Sequence, residues 1–409
     1  MSQTTVHPPQ KPIRAAIKLT ASKSECNRAL IIDALTGFKS TLTNISEARD
    51  CQTMQRLLAS DDRMADVIDA GTTMRFLTAY FAITGQHKTM TGTPRMCERP
   101  IGLLVDALRH LGAKIEYENN ENYPPMRLEG FHYSGKNSLS IRGDVSSQYI
   151  SALLMIAPLL PEGLTLTLTG EVGSRPYIEM TLEQMGYFGI KYQADWTAKT
   201  IKVPPQKYQP KPYAIESDWS GASYWYSIVA LAEDAEVELL GLKENSLQGY
   251  SAIVNIMANL GVKSTFTKRG VLLQKTTAET SLSWDFTDCP DLAQTVAVCC
   301  AMKDIKLTLT GVESLKIKET DRIYALQQEL KKLGAELTEV EANHRYEVSR
   351  TDKLSSNKVP SIHTYDDHRM ALAFAPAGMV CPVIIEEPGV VVKSYPNFWE
   401  HLGSATEVS

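Results

Sequence analysis

Seven cations recur along this chain, most of them near the start of an apolar run: Lys23, Arg28, Arg99, Lys318, Arg322, Arg369 and, after the last extended segment, Lys393. Lys23, Ser24 and Arg28 open the first run, in Ser22-Lys23-Ser24-Glu25-Cys26-Asn27-Arg28. At a helix start the backbone N–H groups and the positive dipole end point the same way, so these side chains could hold an anion there. The segment suits a capped helix with solvated charges equally well. Asp69-Ala70-Gly71-Thr72-Thr73 opens a second run with a glycine that lets the backbone approach a ligand closely. Ser146-Ser147-Gln148 opens a third with two hydroxyls and an amide, which orient oxygens without adding charge. Singly, each cation reads as well as a surface charge. Gathered in one place on a chain of net charge −5, they would select small polyanions, because arginine's planar fork grips two phosphate or carboxylate oxygens at once. Two carboxylates stand among them. Asp291 opens a fifth run, and Glu319 lies between Lys318 and Arg322. Such a pair can take a proton at one place and deliver one at another. An N-cap aspartate and a first-turn glutamate would explain the same positions.

The elements that must position these residues repeat. Helix-like apolar runs are predicted at Ser24–Leu35, Gly71–Ala82, Ser146–Ala157, Ser220–Ala232, Pro290–Met302 and Asp366–Ala377. Each is followed by a short extended run closing on Gly or Asn, such as LTLTLTG from Leu164 or KLTLTG from Lys306, and then by a second amphipathic run. The openings recur roughly every 70 to 76 residues, the first interval being shorter, which is the mark of an internal repeat. In the second amphipathic run of one repeat, Ile101, Leu104, Val105, Leu108 and Leu111 share a face. The alternation of Leu164–Thr169 predicts a strand with one buried face and threonines on the other. The whole reads as an α/β chain of six units in two halves, with a seam of prolines and lysines at Pro204–Glu216 and a second crossing near Ile17–Ser22. The tail Gly403–Ser409 is expected to fray. There is no GxGxxG dinucleotide fingerprint.

Composition bounds the function. At 409 residues, with 43% hydrophobic and 22% charged side chains, the chain suits two substantial globular domains. Its acidic balance argues against nucleic-acid or anionic-membrane partners. No apolar stretch approaches the ~20 residues of a membrane span, and the polar start lacks a signal-peptide core. Seven cysteines with no CxxC or zinc-type spacing suit reduced thiols in a cytoplasmic protein.

In order along the chain, SKSECNRAL, AGTTMR, TPRMCERPIGLLVDALRHLGA, SSQYISALLMIAPL, SRPYIEMTL, KIKETDRI, TYDDHRMALAF and VVVKSYPNFWEHL resemble the 5-enolpyruvylshikimate-3-phosphate synthase family, from about Leu19 to Leu402. The resemblance implies a two-domain inside-out α/β barrel with three βαβαββ-type units per domain. Units 1–3 would span 18–214, units 4–6 would span 1–17 plus 215–409, and the ligand cleft would lie between them. It implies transfer of the enolpyruvyl group of phosphoenolpyruvate to the 5-hydroxyl of shikimate 3-phosphate, with no metal or organic cofactor, in a cytoplasmic monomer. Ser24, Arg28, Ser146, Ser147, Gln148, Ser174, Tyr177, Asp291 and Lys318 would hold the shikimate ester. Lys23, Gly71, Gln148, Arg99, Arg322, Arg369 and Lys393 would hold phosphoenolpyruvate. Asp291 would accept the hydroxyl proton, Glu319 would protonate the methylene carbon, and Lys23 would stabilise charge or relay a proton.

Three departures from the family pattern carry expectations of their own. The segment between Asp50 and Gly71 is short enough that the second unit is expected to be truncated. Asp69 replaces the asparagine of the NAGT motif and is expected to weaken binding of anionic phosphoenolpyruvate analogues such as glyphosate. Ser314 replaces an asparagine and is expected to weaken one shikimate-phosphate contact. Among rival readings, UDP-N-acetylglucosamine enolpyruvyl transferase shares the fold and carries a loop cysteine, but Cys97 sits in a context that matches the shikimate enzyme. RNA 3′-phosphate cyclase is disfavoured by the charge balance. A silent binding homologue would be favoured only by loss of Lys23, Asp291, Glu319 or Arg322, and all four are present.

Overall fold

A helix buried on nearly every side must lie inside its domain, and six of the helices here are of that kind. A computed structural model describes residues 2–351 and 359–406. The chain divides into two units, Lys23–Ile215 and Met1–Ser22 with Glu216–Ser409. The first unit buries most residues of its helices Lys23–Leu35, Gly71–Ile83 and Ser147–Ile156. The second does the same with Trp219–Leu231, Ala293–Lys303 and His368–Phe374. Helix Trp219–Leu231 is buried at every position and carries Trp219, Tyr224, Trp225 and Tyr226 into the core.

Short sheets accompany these helices, and four of the six repeat one pairing scheme. In the first unit, strand Met64–Asp66 runs parallel to His87–Thr91; that strand pairs antiparallel with Met126–Phe131, which pairs antiparallel with Ala113–Tyr117. Ser138–Arg142, Leu164–Thr169, Thr200–Val203 and Gln193–Asp195 repeat the scheme. In the second unit it recurs in Ile13–Lys18, Ala235–Leu240, Gly270–Lys275 and Val262–Phe266. Ser281–Asp285, Lys306–Thr310, Arg345–Arg350 and Ala335–Glu341 complete the set. The alternation expected of Leu164–Thr169 is observed, with each leucine buried. Amphipathic helices pack one face only: in Gly102–Leu111, Leu104, Val105, Leu108 and Leu111 are buried. That helix ends on Gly112 at φ +118, where a Cβ would lie 1.9 Å from the His132 carbonyl oxygen, so a glycine is required.

Two expectations are corrected. The second unit is not truncated: the rest of helix Arg49–Leu58 and the whole of strand Met64–Asp66 fit between Asp50 and Gly71, because a three-residue strand is enough to complete the sheet. The reduced sheets belong to the first and sixth repeats, as the pair Thr41–Thr43 with Pro212–Ala214 and the trio Gln3–Val6, Val383–Glu386 and Ser361–Ile362. The tail expected to fray continues as helix Phe398–Thr406, anchored by buried Phe398 and Leu402; residues 407–409 lie outside the described range.

Candidate active site

The site residues of the first unit collect at the N-terminal ends of its buried helices. Lys23 begins helix Lys23–Leu35, and its Nζ lies 3.0 Å from the buried Asp50 carboxylate. Asp50 belongs to the first turn of helix Arg49–Leu58, and its backbone carbonyl accepts from the Thr73 hydroxyl at 3.3 Å, tying in the first turn of helix Gly71–Ile83. From the third helix, the Gln148 side chain donates to the Thr72 hydroxyl at 3.0 Å. The N-caps around this place are Ala70, which offers no side-chain cap, and Ser146, which accepts from the Gln148 N–H. At Gly71 a Cβ would stand 2.8 to 3.0 Å from the Arg99 guanidinium, so only glycine lets Arg99 lie against this helix end. Converging helix N-termini beside Lys23 and Arg99 are an arrangement that can hold an anion.

Arg28 lies deeper, 2% exposed. Its guanidinium donates to the Thr181 hydroxyl at 2.7 Å, the Ser24 carbonyl at 2.8 Å, the Ser151 hydroxyl at 3.1 Å and the Tyr177 carbonyl at 3.2 Å. The rings of Phe76 and Tyr177 flank it. Burial pushes its pKa down to about 10, against the pull of Tyr177 and Glu25, so it stays charged near neutral pH. Ser174 adopts a left-handed conformation, φ +53, immediately before helix Arg175–Tyr187, and Tyr177 is half-buried in that helix's first turn.

In the second unit the charges close around Arg322. This guanidinium is 1% exposed, and it lies 2.7 Å from Asp367, 2.8 Å from Asp291 and 2.9 Å from Glu319. Burying a guanidinium costs several kcal/mol unless partners of this quality accept its protons. Burial lowers its pKa, but Asp367, Glu319 and Asp291 outweigh that and raise it above the ordinary value. Asp291, on the turn Pro290–Leu292, also faces Arg369 at 3.2 Å and Lys318 at 3.7 Å, and accepts from the Tyr250 hydroxyl at 2.7 Å. Burial alone would raise the Asp291 pKa; Arg369, Lys318, Arg322 and the Tyr250 hydroxyl reverse this and hold it well below the usual carboxylate range. Arg369 opens helix His368–Phe374 and donates to the hydroxyls of Ser220, at 2.6 Å, and Tyr224, at 3.2 Å. Buried Lys393 lies 3.6 Å from Glu319. Four cations and three carboxylates thus share one cluster.

The structure therefore groups Asp291, Lys318, Glu319, Arg322, Arg369 and Lys393 in one unit. In the other it groups Lys23, Gly71, Arg99 and Gln148 around linked helix ends, with Arg28 alongside donating to the Ser24 and Tyr177 carbonyls. Ser314 is exposed on the turn Glu313–Ile317 that leads into Lys318. Reading the sequence did not identify Asp50, Tyr250, Ser220, Tyr224 or Asp367 as parts of these clusters. Asp367 carried a usable signal, since it stands directly before the helix that begins at His368 and caps it through the Arg369 N–H. Asp69 is also not isolated: Arg49 donates to it at 2.9 Å. Among the described residues, no group of three or more His, Cys, Asp or Glu side chains is arranged to hold a metal ion. Nor is any helix among them long and apolar enough to cross a membrane.

The architecture is that of a known class of transferase. A solved EPSP synthase from Acinetobacter baumannii superposes with a TM-score of 0.76 over 99% of this chain and 98% of its own, at 20% identity. Residues 56–402 match the family model described as EPSP synthase (3-phosphoshikimate 1-carboxyvinyltransferase). A 3-phosphoshikimate 1-carboxyvinyltransferase from Bacteroides fragilis (strain YCH46) is 50% identical over 396 residues, covering 96% of this chain and 95% of its own length. One from Escherichia coli O1:K1 / APEC is 34% identical over 437 residues, covering all of both chains. The chain belongs to the EPSP synthase family, the carboxyvinyltransferases of the shikimate pathway.

Proposed function

We propose a division of the family's reaction among the residues of this chain, carried by a single observation: Asp291 and Glu319 both lie within 3 Å of the same guanidinium, that of buried Arg322. The chain transfers the enolpyruvyl group of phosphoenolpyruvate to the 5-hydroxyl of shikimate 3-phosphate by addition and elimination. In the addition, the hydroxyl oxygen attacks the enol carbon and its proton passes to Asp291, while Glu319, which takes up a proton as the substrate anions draw Arg322 and Lys393 toward themselves, gives that proton to the methylene carbon. In the elimination, the methyl carbon returns a proton to Glu319, the double bond re-forms, and inorganic phosphate leaves with the proton that Asp291 had taken. Lys23, Gly71, Arg99, Gln148, Arg322, Arg369 and Lys393 hold phosphoenolpyruvate. Ser24, Arg28, Ser146, Ser147, Gln148, Ser174, Tyr177, Ser314 and Lys318 hold the shikimate ester.

The electrostatics support the role of Asp291. With Arg369, Lys318 and Arg322 turned toward it, Asp291 is a weak base. Bound substrate anions draw those same cations toward themselves, and the carboxylate then regains basicity where the hydroxyl arrives. Prepositioned cations also stabilise the charge that develops on the departing phosphate. The same reading carries a monomer working in the cytoplasm, in keeping with seven free cysteines. The test is phosphate release from phosphoenolpyruvate with shikimate 3-phosphate, set beside UDP-N-acetylglucosamine as acceptor. Phosphate and an enolpyruvyl ether only with the shikimate ester is the expected result. Release with the sugar nucleotide, or with neither acceptor, overturns the assignment.

A further inference from the structure

The first two residues of helix Arg49–Leu58 divide two tasks between them. Asp50 holds Lys23 at 3.0 Å, and Arg49 holds Asp69 at 2.9 Å. Asp69 stands two residues before Gly71, the helix end against which Arg99 lies. The turn that carries it is under strain. Ile68 is a β-branched residue at φ +59, its N–H donates to the Asp66 carboxylate at 2.8 Å, and its carbonyl accepts from the Thr93 N–H at 2.8 Å. Two helical turns beyond Arg49, Arg56 donates to the Asp66 carbonyl at 2.7 Å. One face of this helix thus grips both ends of the 66–69 turn through arginines.

We propose that Arg49 is a specificity-determining positioning residue for phosphoenolpyruvate: its ion pair with Asp69 offsets a negative charge placed beside the anion-holding helix end at Gly71. The proposal rests on the assignment of Gly71 and Arg99 to phosphoenolpyruvate made above. A carboxylate two residues before that helix end opposes the dipole and cations there, and repels a substrate carrying both a phosphate and a carboxylate. Arg49 draws Asp69 toward its own helix and supplies the compensating charge. The side chains of Arg49 and Asp69 are 40% and 24% exposed, so the pair adds little to folding. Its removal therefore leaves a folded enzyme to assay.

The test is steady-state kinetics on the full-length enzyme, with both substrates varied, for wild type, R49M, R49K, D69N and R49M/D69N. R49M is expected to raise KM for phosphoenolpyruvate roughly three- to ten-fold, with kcat and KM for the shikimate ester nearly held. R49K brings KM back toward wild type. R49M/D69N returns it close to the D69N value, because the charge that Arg49 offsets is gone. The R49M penalty shrinks as ionic strength rises to about 0.5 M, since screening replaces the lost partner. An R49M enzyme with wild-type KM overturns the proposal. So does a double variant as impaired as R49M, which would make Arg49 a clamp on the turn and nothing more. A wild type that does not turn over brings down the functional assignment and this proposal together, whereas turnover indifferent to R49M brings down this one alone.

Discussion

Asp291 is held by more positive charge than a single carboxylate needs. Three cations and the Tyr250 hydroxyl keep it ionised, so replacing it with Asn removes a proton acceptor and leaves those cations less compensated. D291N should lower kcat by about 10²-fold or more and, since Arg322 keeps Glu319 and Asp367, destabilise the fold at neutral pH by roughly 1–3 kcal/mol. The pH dependence of that second effect has a definite sign. A depressed folded-state pKa contributes stability that is fully present above the unfolded value, ordinarily 3.8, and is lost as pH falls through the folded value. Urea melts should therefore show a constant gap between wild type and D291N from neutral pH to mildly acid pH, closing only below the ordinary carboxylate range. A gap that closes near neutral pH would mean that Asp291 is not held ionised by these cations. Gly71 gives a second prediction at this scale. A Cβ there meets the far end of Arg99, a flexible side chain, so the cost falls on the position of the guanidinium and not on folding. G71A should raise KM for phosphoenolpyruvate several-fold, leave KM for the shikimate ester close to wild type, and melt at nearly the wild-type midpoint. A lowered midpoint with unchanged KM would refute the contact.

Elements matter here through their first turns, and aspartate caps set several of them. Asp218 accepts from the Ser220 and Gly221 N–H groups and starts helix Trp219–Leu231, a helix with no solvated face on which lost hydrogen bonds could be recovered from water. D218A should cost about 1–2 kcal/mol, read as a lower urea midpoint with an unchanged m-value; an unshifted midpoint would show that the cap contributes nothing. These helices were legible in the sequence because a long apolar run behind a polar opening leaves little choice of structure. The predicted Ser24–Leu35, Gly71–Ala82 and Ser220–Ala232 begin and end within one residue of the observed elements. The fifth and sixth runs were less so: tight turns at Pro290–Leu292 and Ala375–Met379 take up their prolines and leave shorter α-helices. Strand Met64–Asp66 was not legible at all, since three residues hold too little alternation to register and only its partner His87–Thr91 defines it. The cations were visible from their place at helix starts. Asp50, which pairs with Lys23, and Tyr250, which donates to Asp291, were not, because contacts across 27 and 41 residues leave no mark in local spacing; Asp367, 45 residues from Arg322, was marked only as a helix cap.

At the scale of the whole chain, one unit is continuous and the other is assembled from two separated pieces. Every strand of Lys23–Ile215 finds its partners within that stretch, from the Thr41–Thr43 pairing with Pro212–Ala214 through both four-stranded sheets. The other unit depends on its N-terminal piece twice. Ile13–Lys18 runs parallel to Ala235–Leu240 along the whole of that strand, and Gln3–Val6 pairs antiparallel with Val383–Glu386. Val6 also packs on Gly378, where a Cβ would come within 2.3 Å of its Cγ1. Without residues 1–22, both strands would lose one line of backbone partners and present open edges, which are templates for association with other chains. Residues 23–215 made alone should therefore melt cooperatively, while 216–409 made alone should melt without a sharp transition and aggregate. Joining 1–22 to the end of 216–409 through a flexible linker should restore a cooperative melt, because parallel pairing needs the strand's presence and not its place in the sequence. If 216–409 alone unfolds cooperatively at the midpoint of the intact chain, the N-terminal strands add nothing to that unit. If the joined form stays uncooperative, what the unit needs from residues 1–22 is the continuity of the chain through 23–215, and the paired edges are not what hold it.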